Sequence, residues 1–408
     1  MRAFERFVEY AKVHTTSSET SGKHPSFDGE FALARILAEE LEKIGMKDAR
    51  TDEHAYVYAM LPATAGCEGA PAMGFIAHMD TSPDASGKNV NPVFHRDFDG
   101  KEVVLPATGA VMSIEAFPFL KDMAGETLIT SDGTTLLGAD DKAGVAEIMT
   151  AMETIINENR PHGELWVAFT PDEEIGEGTD FFDLERFGAK YAYTVDGGDV
   201  NCLEYENFNA ASADIRIKGF SVHPGSAKDT MINASTVAIE LHAMLPEHER
   251  PEDTEDHEGF FHLTGISGHV AEAEMSYIIR DHDKARFEER KALMERIAAK
   301  MNEKYGAGTV TLKLRDSYYN MLEKIKPHMH LIENADKAIR RAGMTPVTVP
   351  VRGGTDGARL SYDGLPCPNL GTGGFNFHGN FECITVERMD RAVEVVLNII
   401  EQYAGIIA

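Results

Sequence analysis

Through the first half of the chain, short apolar runs alternate with long amphipathic segments, and no other feature narrows the choice of fold as far. The segment "FDGEFALARILAEELEKIGM" sets Ala, Leu and Ile on one helical face. After it come "YVYAML", "AMGFIAHMD", the helical "DKAGVAEIMTAMETIINE", "GELWVAFTPDEE" and "KYAYTVDGG". Strand-length apolar runs separated by helices predict an α/β domain with a mostly parallel sheet covered on both faces. In such sheets ligands collect beyond the carboxyl ends of the strands.

The rhythm breaks near Asn207. There "NAASADIRIKGF" alternates small or apolar residues with polar ones, as a half-exposed strand does. A helix ("NASTVAIELHAML"), an acidic loop, strands around "GFFHLTGISGHV" and "EAEMSYIIRDHD", the helix "KARFEERKALMERIAAKMNEKYG" and the strand "GTVTLKLRDSYY" follow. This β-α-β-β-α-β order predicts a ferredoxin-like α+β domain. The alternating pattern then resumes and closes with a helix ending near Ala408. The expected organisation is an α/β domain in two segments, residues 1–206 and 321–408, interrupted by an inserted α+β domain over 207–320, with hinges near Asn207 and Asn320. A chain of 408 residues exceeds what one ordinary core holds, which favours two domains.

Charge and composition exclude several partner classes. The net charge of −28 argues against nucleic acid or an anionic membrane surface, both of which reward clustered Lys and Arg. No apolar run reaches the roughly 18 residues a membrane helix needs. The N-terminal "MRAFERFVEYAKVHTTS" spaces its apolar residues between charges, unlike a signal peptide. The four cysteines show no CxxC spacing, so reduced thiols and a cytoplasmic location are expected.

The strand ends carry the chemistry. "FIAHMD" stops at His78 and Asp80, "LLGADDKAG" places Asp140 and Asp141 before a helix, and "LWVAFTPDEE" finishes with Glu173 and Glu174. "YAYTVDGG" brings Asp196, and "LGTGGFNFHGNFE" brings His378. Taken singly, each reads as a helix N-cap or a solvated loop residue. Together, at equivalent ends of parallel strands, they suit a borderline divalent cation, Zn²⁺ first and Mn²⁺ or Co²⁺ as alternatives. Two ions about 3.5–4 Å apart could share a carboxylate and activate a water between them. At Glu173-Glu174 one carboxylate can hold metal while its neighbour stays free as a base. At His78 and Asp80 the aspartate can orient the imidazole. No HExxH, GxSxG or Walker motif offers a competing chemistry.

In order along the chain, "HMDTSPDASGKNVNP", "TLLGADDKAGVAEIMTA", "FTPDEEIGEG", "GFSVHPGSAK", "VRGGTDG" and "PNLGTGGFNFHG" resemble the motifs of the M20 family of co-catalytic metallopeptidases. The resemblance spans essentially the whole chain. It implies a metal-binding α/β domain with an inserted domain that either pairs with a copy of itself, making a homodimer, or acts only as a lid, and a short peptide as substrate. The implied activity is removal of the N-terminal residue from tripeptides. Carboxypeptidases and N-acyl-amino-acid deacylases of the same family share the metal centre and form the alternative. Residue by residue, the resemblance implies that Asp140 bridges two metals, with His78 and Asp196 completing one site and Glu174 and His378 the other. Glu173 would be the general base, and Asp80 would polarise His78. His223, otherwise a loop histidine before a Pro-Gly turn, would stabilise the oxyanion from its own chain or a partner subunit. Arg280, otherwise a salt-bridging strand-end residue, would bind the substrate's terminal carboxylate. Asn233 and Gly354 would line the same pocket, although the glycines of "RGGTDG" read equally as a tight turn.

Overall fold

The computed structural model describes residues 1–405, which form two compact units. The first holds Met1–Tyr205, Glu323–Val349 and the chain from Thr355 onward, and the second holds Glu206–Leu322 and Pro350–Gly354.

The first unit is built on an eight-stranded sheet. Its middle is a run of parallel neighbours, Leu165–Thr170, Met73–His78, Tyr191–Gly197 and Asn369–Gly371. Val57–Leu61 and Lys47–Thr51 extend one side antiparallel, and Cys202–Glu204 and Val347–Thr348 extend the other. The strand "MGFIAH" is buried at every position, which requires both faces of the sheet to be covered. Within it Phe75 stacks on Tyr193 with ring centroids 6.1 Å apart. Each such side chain withdrawn from water contributes roughly 1.5–3 kcal/mol.

Helix Ala139–Glu158 packs on the parallel strands and against helices Ala3–Ala11 and Val386–Tyr403. Its approach depends on Gly144, where a Cβ would lie 1.9 Å from the Val195 carbonyl oxygen. The glycine of "DDKAG" therefore lets the helix start settle onto the strand ends and brings Asp140 and Asp141 with it. The final helix runs Val386–Tyr403; Ala408, where it was expected to end, lies outside the described residues.

In the second unit, strands Asn209–Lys218, Phe260–Gly268, Glu272–Asp281 and Val310–Tyr318 pair antiparallel, with the third and fourth flanking the first and the second outside the third. Helices Ala234–His242 and Lys284–Tyr305 complete the β-α-β-β-α-β order of a ferredoxin-like unit. Glu272–Asp281 alternates in burial at each step, and its inward residues Met275, Tyr277 and Ile279 join the unit's core. Buried amides tie the entering and leaving chain together. The Asn320 N–H donates to Asn209 Oδ1 at 3.0 Å, and the Met321 N–H donates to Asn207 Oδ1 at 2.7 Å. Among the described residues no helix is long and apolar enough to cross a membrane.

Candidate metal centre

His78 is the last residue of its strand. Its Nε2 lies 2.9 Å from Asp140 Oδ1 and 3.4 Å from Asp196 Oδ1. The other Asp140 oxygen is 3.2 Å from His378 Nε2, which is in turn 2.9 Å from Glu174 Oε2. Asp196, His78, Asp140, His378 and Glu174 thus form one unbroken line of donor atoms, with Asp140 in the middle offering one oxygen to each histidine. All but the half-exposed His378 are largely buried.

The electrostatics of this line are those of a cation site. Burial pushes the Asp196 and Glu174 carboxyls up to about 7, and neighbouring Asp140 adds to both shifts. Hydrogen bonds to Asp140 and Glu174 raise His378 to about 11. Burial works against a charged His78, yet the Asp196 charge and hydrogen bonds to Asp140, Asp196 and Asp80 hold it well above the ordinary histidine range. Burial likewise opposes ionisation of Asp140, but its two histidine partners win and keep it below the usual carboxylate range. Glu174 Oε1 is buried with no protein partner, which is how a ligand atom looks without its ion. Two overlapping groups, His78 with Asp140 and Glu174 and His78 with Asp141 and Asp196, each hold donor atoms within 4.8 Å of one another. Imidazole and carboxylate donors in this number fit borderline divalent metals.

A layer of acids whose oxygens accept backbone N–H groups holds the ligands in place. The buried Asp80 carboxylate accepts the Glu173 N–H at 3.0 Å and the Glu174 N–H at 3.1 Å, and lies 3.3 Å from His78 Nδ1. One side chain thereby orients an imidazole and positions the turn that carries both glutamates. Asp141 accepts the His78 N–H and the Gly144 N–H, each at 3.2 Å, which locks the helix start to the strand end. Glu382, unassigned in the sequence reading, accepts the N–H groups of Leu137 and Gly138 at 2.7 Å and of Asp140 at 2.9 Å. Its only signal in the sequence was an acid four residues beyond His378. The Glu173 carboxyl is pushed well above its ordinary pKa by loss of solvent and by the charges of Asp196, Asp356 and Glu174, with His78 opposing.

The remaining candidates lie in the other unit. His223 is exposed, and its Nδ1 accepts the Gly225 N–H at 3.2 Å in a short turn. Asn233 is the N-cap of helix Ala234–His242, its Oδ1 accepting the Ser235 N–H at 3.0 Å. Arg280 donates to the Ile279 and Ala211 carbonyls at 3.0 and 3.3 Å and lies over the Tyr318 ring. Gly354 sits against that same ring, where a Cβ would meet it at 2.8 Å.

A family model described as the peptidase dimerisation domain matches residues 205–309. The chain is 56% identical to a Peptidase T from Clostridium novyi over 401 residues, 98% of each chain. It is 53% identical to a Peptidase T from Caldanaerobacter subterraneus over 404 residues, again 98% of each. Its structure resembles the aminopeptidase PepT of Bacillus cereus with a TM-score of 0.79 at 24% identity, covering 99% of this chain and 98% of that one. A dinuclear metal-binding peptidase of the M20 family from Bacillus subtilis matches with a TM-score of 0.67 at 15% identity, with coverage of 99% and 98%. These two likenesses show a shared fold.

Proposed function

The chain belongs to the peptidase T family of M20 metallopeptidases, and from that premise we propose that it is a two-metal aminopeptidase that removes the N-terminal residue from tripeptides. The observation that carries the two-metal part is Asp140, with one carboxylate oxygen toward His78 and the other toward His378. The Peptidase T relatives support the substrate class.

Asp140 would bridge, His78 and Asp196 would hold one ion, and Glu174 and His378 the other. Zn²⁺ suits these donors best, with Co²⁺ or Mn²⁺ also accepted. When bound, the two ions supply Lewis acidity toward the scissile carbonyl and make a water easier to deprotonate. Glu173 takes the proton from the attacking water and passes it to the leaving amine. Asp80 fixes the Glu173 backbone and the His78 ring, so base and ligand keep their places. His223 supplies a hydrogen bond to the oxyanion, and the Arg280 guanidinium receives the peptide's terminal carboxylate, with Asn233 and Gly354 lining that subsite. The dimerisation-domain match supports a homodimer through the inserted unit. Four free cysteines support a reducing, cytoplasmic setting.

The decisive experiment offers the metal-loaded protein one tripeptide in free and N-acetylated forms and identifies products by mass spectrometry. Loss of one N-terminal residue from the free form only, abolished by chelator, is expected. Cleavage of the acetylated form, or release from the C-terminal end, would replace the proposal with a deacylase or carboxypeptidase acting through the same cluster.

A further inference from the structure

The turn that carries Glu173 and Glu174 is preceded by Asp172 and followed by Glu177, and both reach a histidine that the dinuclear centre does not use. His24 Nδ1 lies 3.2 Å from Asp172 Oδ2 and 4.0 Å from Glu177 Oε2. One donor atom from each of the three falls within 4.8 Å of the others. The side chains of His24 and Asp172 are 8% and 0% exposed, while that of Glu177 is 47% exposed and opens the cluster to solvent.

The contact is not an ordinary hydrogen bond. Neither His24 ring nitrogen has a hydrogen-bond partner despite the short separation, and Asp172 Oδ1 is also buried and unpartnered. A buried imidazole beside a carboxylate normally resolves its burial through an aligned N–H···O bond. Here the donor atoms converge without one. Donors about 2.1 Å from a tetrahedral ion sit roughly 3.4 Å from one another, and the His24 contacts bracket that spacing.

The surroundings pre-form the arrangement. Asp172 sits in the left-handed region at φ 53°, its Oδ2 accepts the Ser26 N–H at 2.7 Å, and its own N–H donates to the buried Glu30 at 3.0 Å. The His24 ring stacks on Tyr56 and packs on Phe181 with centroids 5.7 and 4.8 Å away.

We propose that His24, Asp172 and Glu177 form a third divalent-metal site, separate from the dinuclear centre, whose ion clamps the Ser21–Phe27 loop to the Glu173–Glu174 turn. An imidazole among the donors selects Zn²⁺, Co²⁺ or Mn²⁺ over Ca²⁺ and Mg²⁺, with water completing the coordination. The site stands on its own geometry and does not depend on the proposed peptidase chemistry.

Zn²⁺ is the probe. Full-length protein is stripped with chelator, reloaded, desalted and weighed by native mass spectrometry. Three ions per chain are expected in the wild type and two in His24→Ala and in Glu177→Gln. Asp140→Ala, which disables the shared bridge, should keep one ion, and adding His24→Ala should remove it. Two ions in the wild type and still two in His24→Ala overturn the third site and leave the dinuclear centre standing. A count of three retained in His24→Ala also overturns it. A wild-type count unaffected by Asp140→Ala but lowered by His24→Ala supports the third site and sinks the dinuclear reading instead. Because Glu177 is exposed, Glu177→Gln does not threaten folding. The rise in Tm that Zn²⁺ gives Asp140→Ala should vanish when Glu177→Gln is added, and an unchanged rise overturns the proposal.

Discussion

In the first unit Asp140, Glu174 and Asp196 are buried against two histidines and against one another, and Glu174 keeps an oxygen with no protein partner. In the second unit His223, Asn233 and Arg280 each find a backbone partner within the unit itself. The first arrangement holds more negative charge than its protein neighbours can satisfy, so it is stable only with protons or a cation in it. The second needs nothing from outside to be stable. Within the first unit the same contrast recurs in layers. Asp80 and Glu382 are satisfied by backbone N–H groups, and they hold the ligands that are not. In this cluster the acids whose oxygens each accept a backbone N–H are scaffold, and Glu174, which keeps a buried oxygen without a donor beside two histidine-linked carboxylates, is where an ion belongs.

The largest test of this contrast is Glu173→Gln. It should keep both ions of the dinuclear centre and lower kcat by about 10²- to 10⁴-fold, the range of a lost general base. Full turnover in the amide variant would remove Glu173 from the chemistry. His223→Ala tests the other unit and should lower kcat by about 10²- to 10³-fold with metal content unchanged. If kcat stays within threefold of wild type, the imidazole serves only the turn where its Nδ1 meets the Gly225 N–H.

Much of the first unit was legible because parallel strands that end together must deliver whatever residue follows them to one edge. His78, Glu173, Glu174 and Asp196 could be placed that way from apolar runs and their terminating residues alone. Glu382 could not. Its partners are backbone N–H groups about 240 residues earlier in the chain, and no local pattern announces such a bond. His24 was illegible for the same reason, since its partners Asp172 and Glu177 are remote in sequence and close only after folding. In the second unit the order of elements was legible from periodicity. The capping role of Asn233 was not, because periodicity fixes a helix end only to within a residue or two and so does not separate a cap from a first helical residue.

Two smaller effects sharpen the comparison. Glu382→Gln should weaken metal binding by about 10- to 100-fold, as the loss of an outer partner of a ligand does, because an amide cannot serve three backbone donors equally well. Titration with Zn²⁺ against a competing chelator measures it, and unchanged affinity would reduce Glu382 to a loop brace. Arg280→Ala should leave metal affinity alone and raise KM about tenfold for peptides with a free C-terminal carboxylate, a loss of about 1.4 kcal/mol. An equal KM for free and amidated peptides in the wild type would remove that assignment.

The smallest effect separates scaffold from site within a single residue. Asn233 caps helix Ala234–His242 through Oδ1, so Asn233→Ala should cost about 1 kcal/mol and lower the Tm by a few degrees. That loss alone cannot tell a cap from a substrate contact, since a loosened helix start would disturb a subsite as well. Asn233→Asp can. The carboxylate keeps the accepting oxygen and places negative charge at a helix N-terminus, where it is favourable, so thermal stability should return. If Asn233 is only a cap, activity returns with it. If its amide also donates to the peptide, the aspartate restores the Tm and leaves kcat/KM depressed, because the carboxylate has no N–H to give.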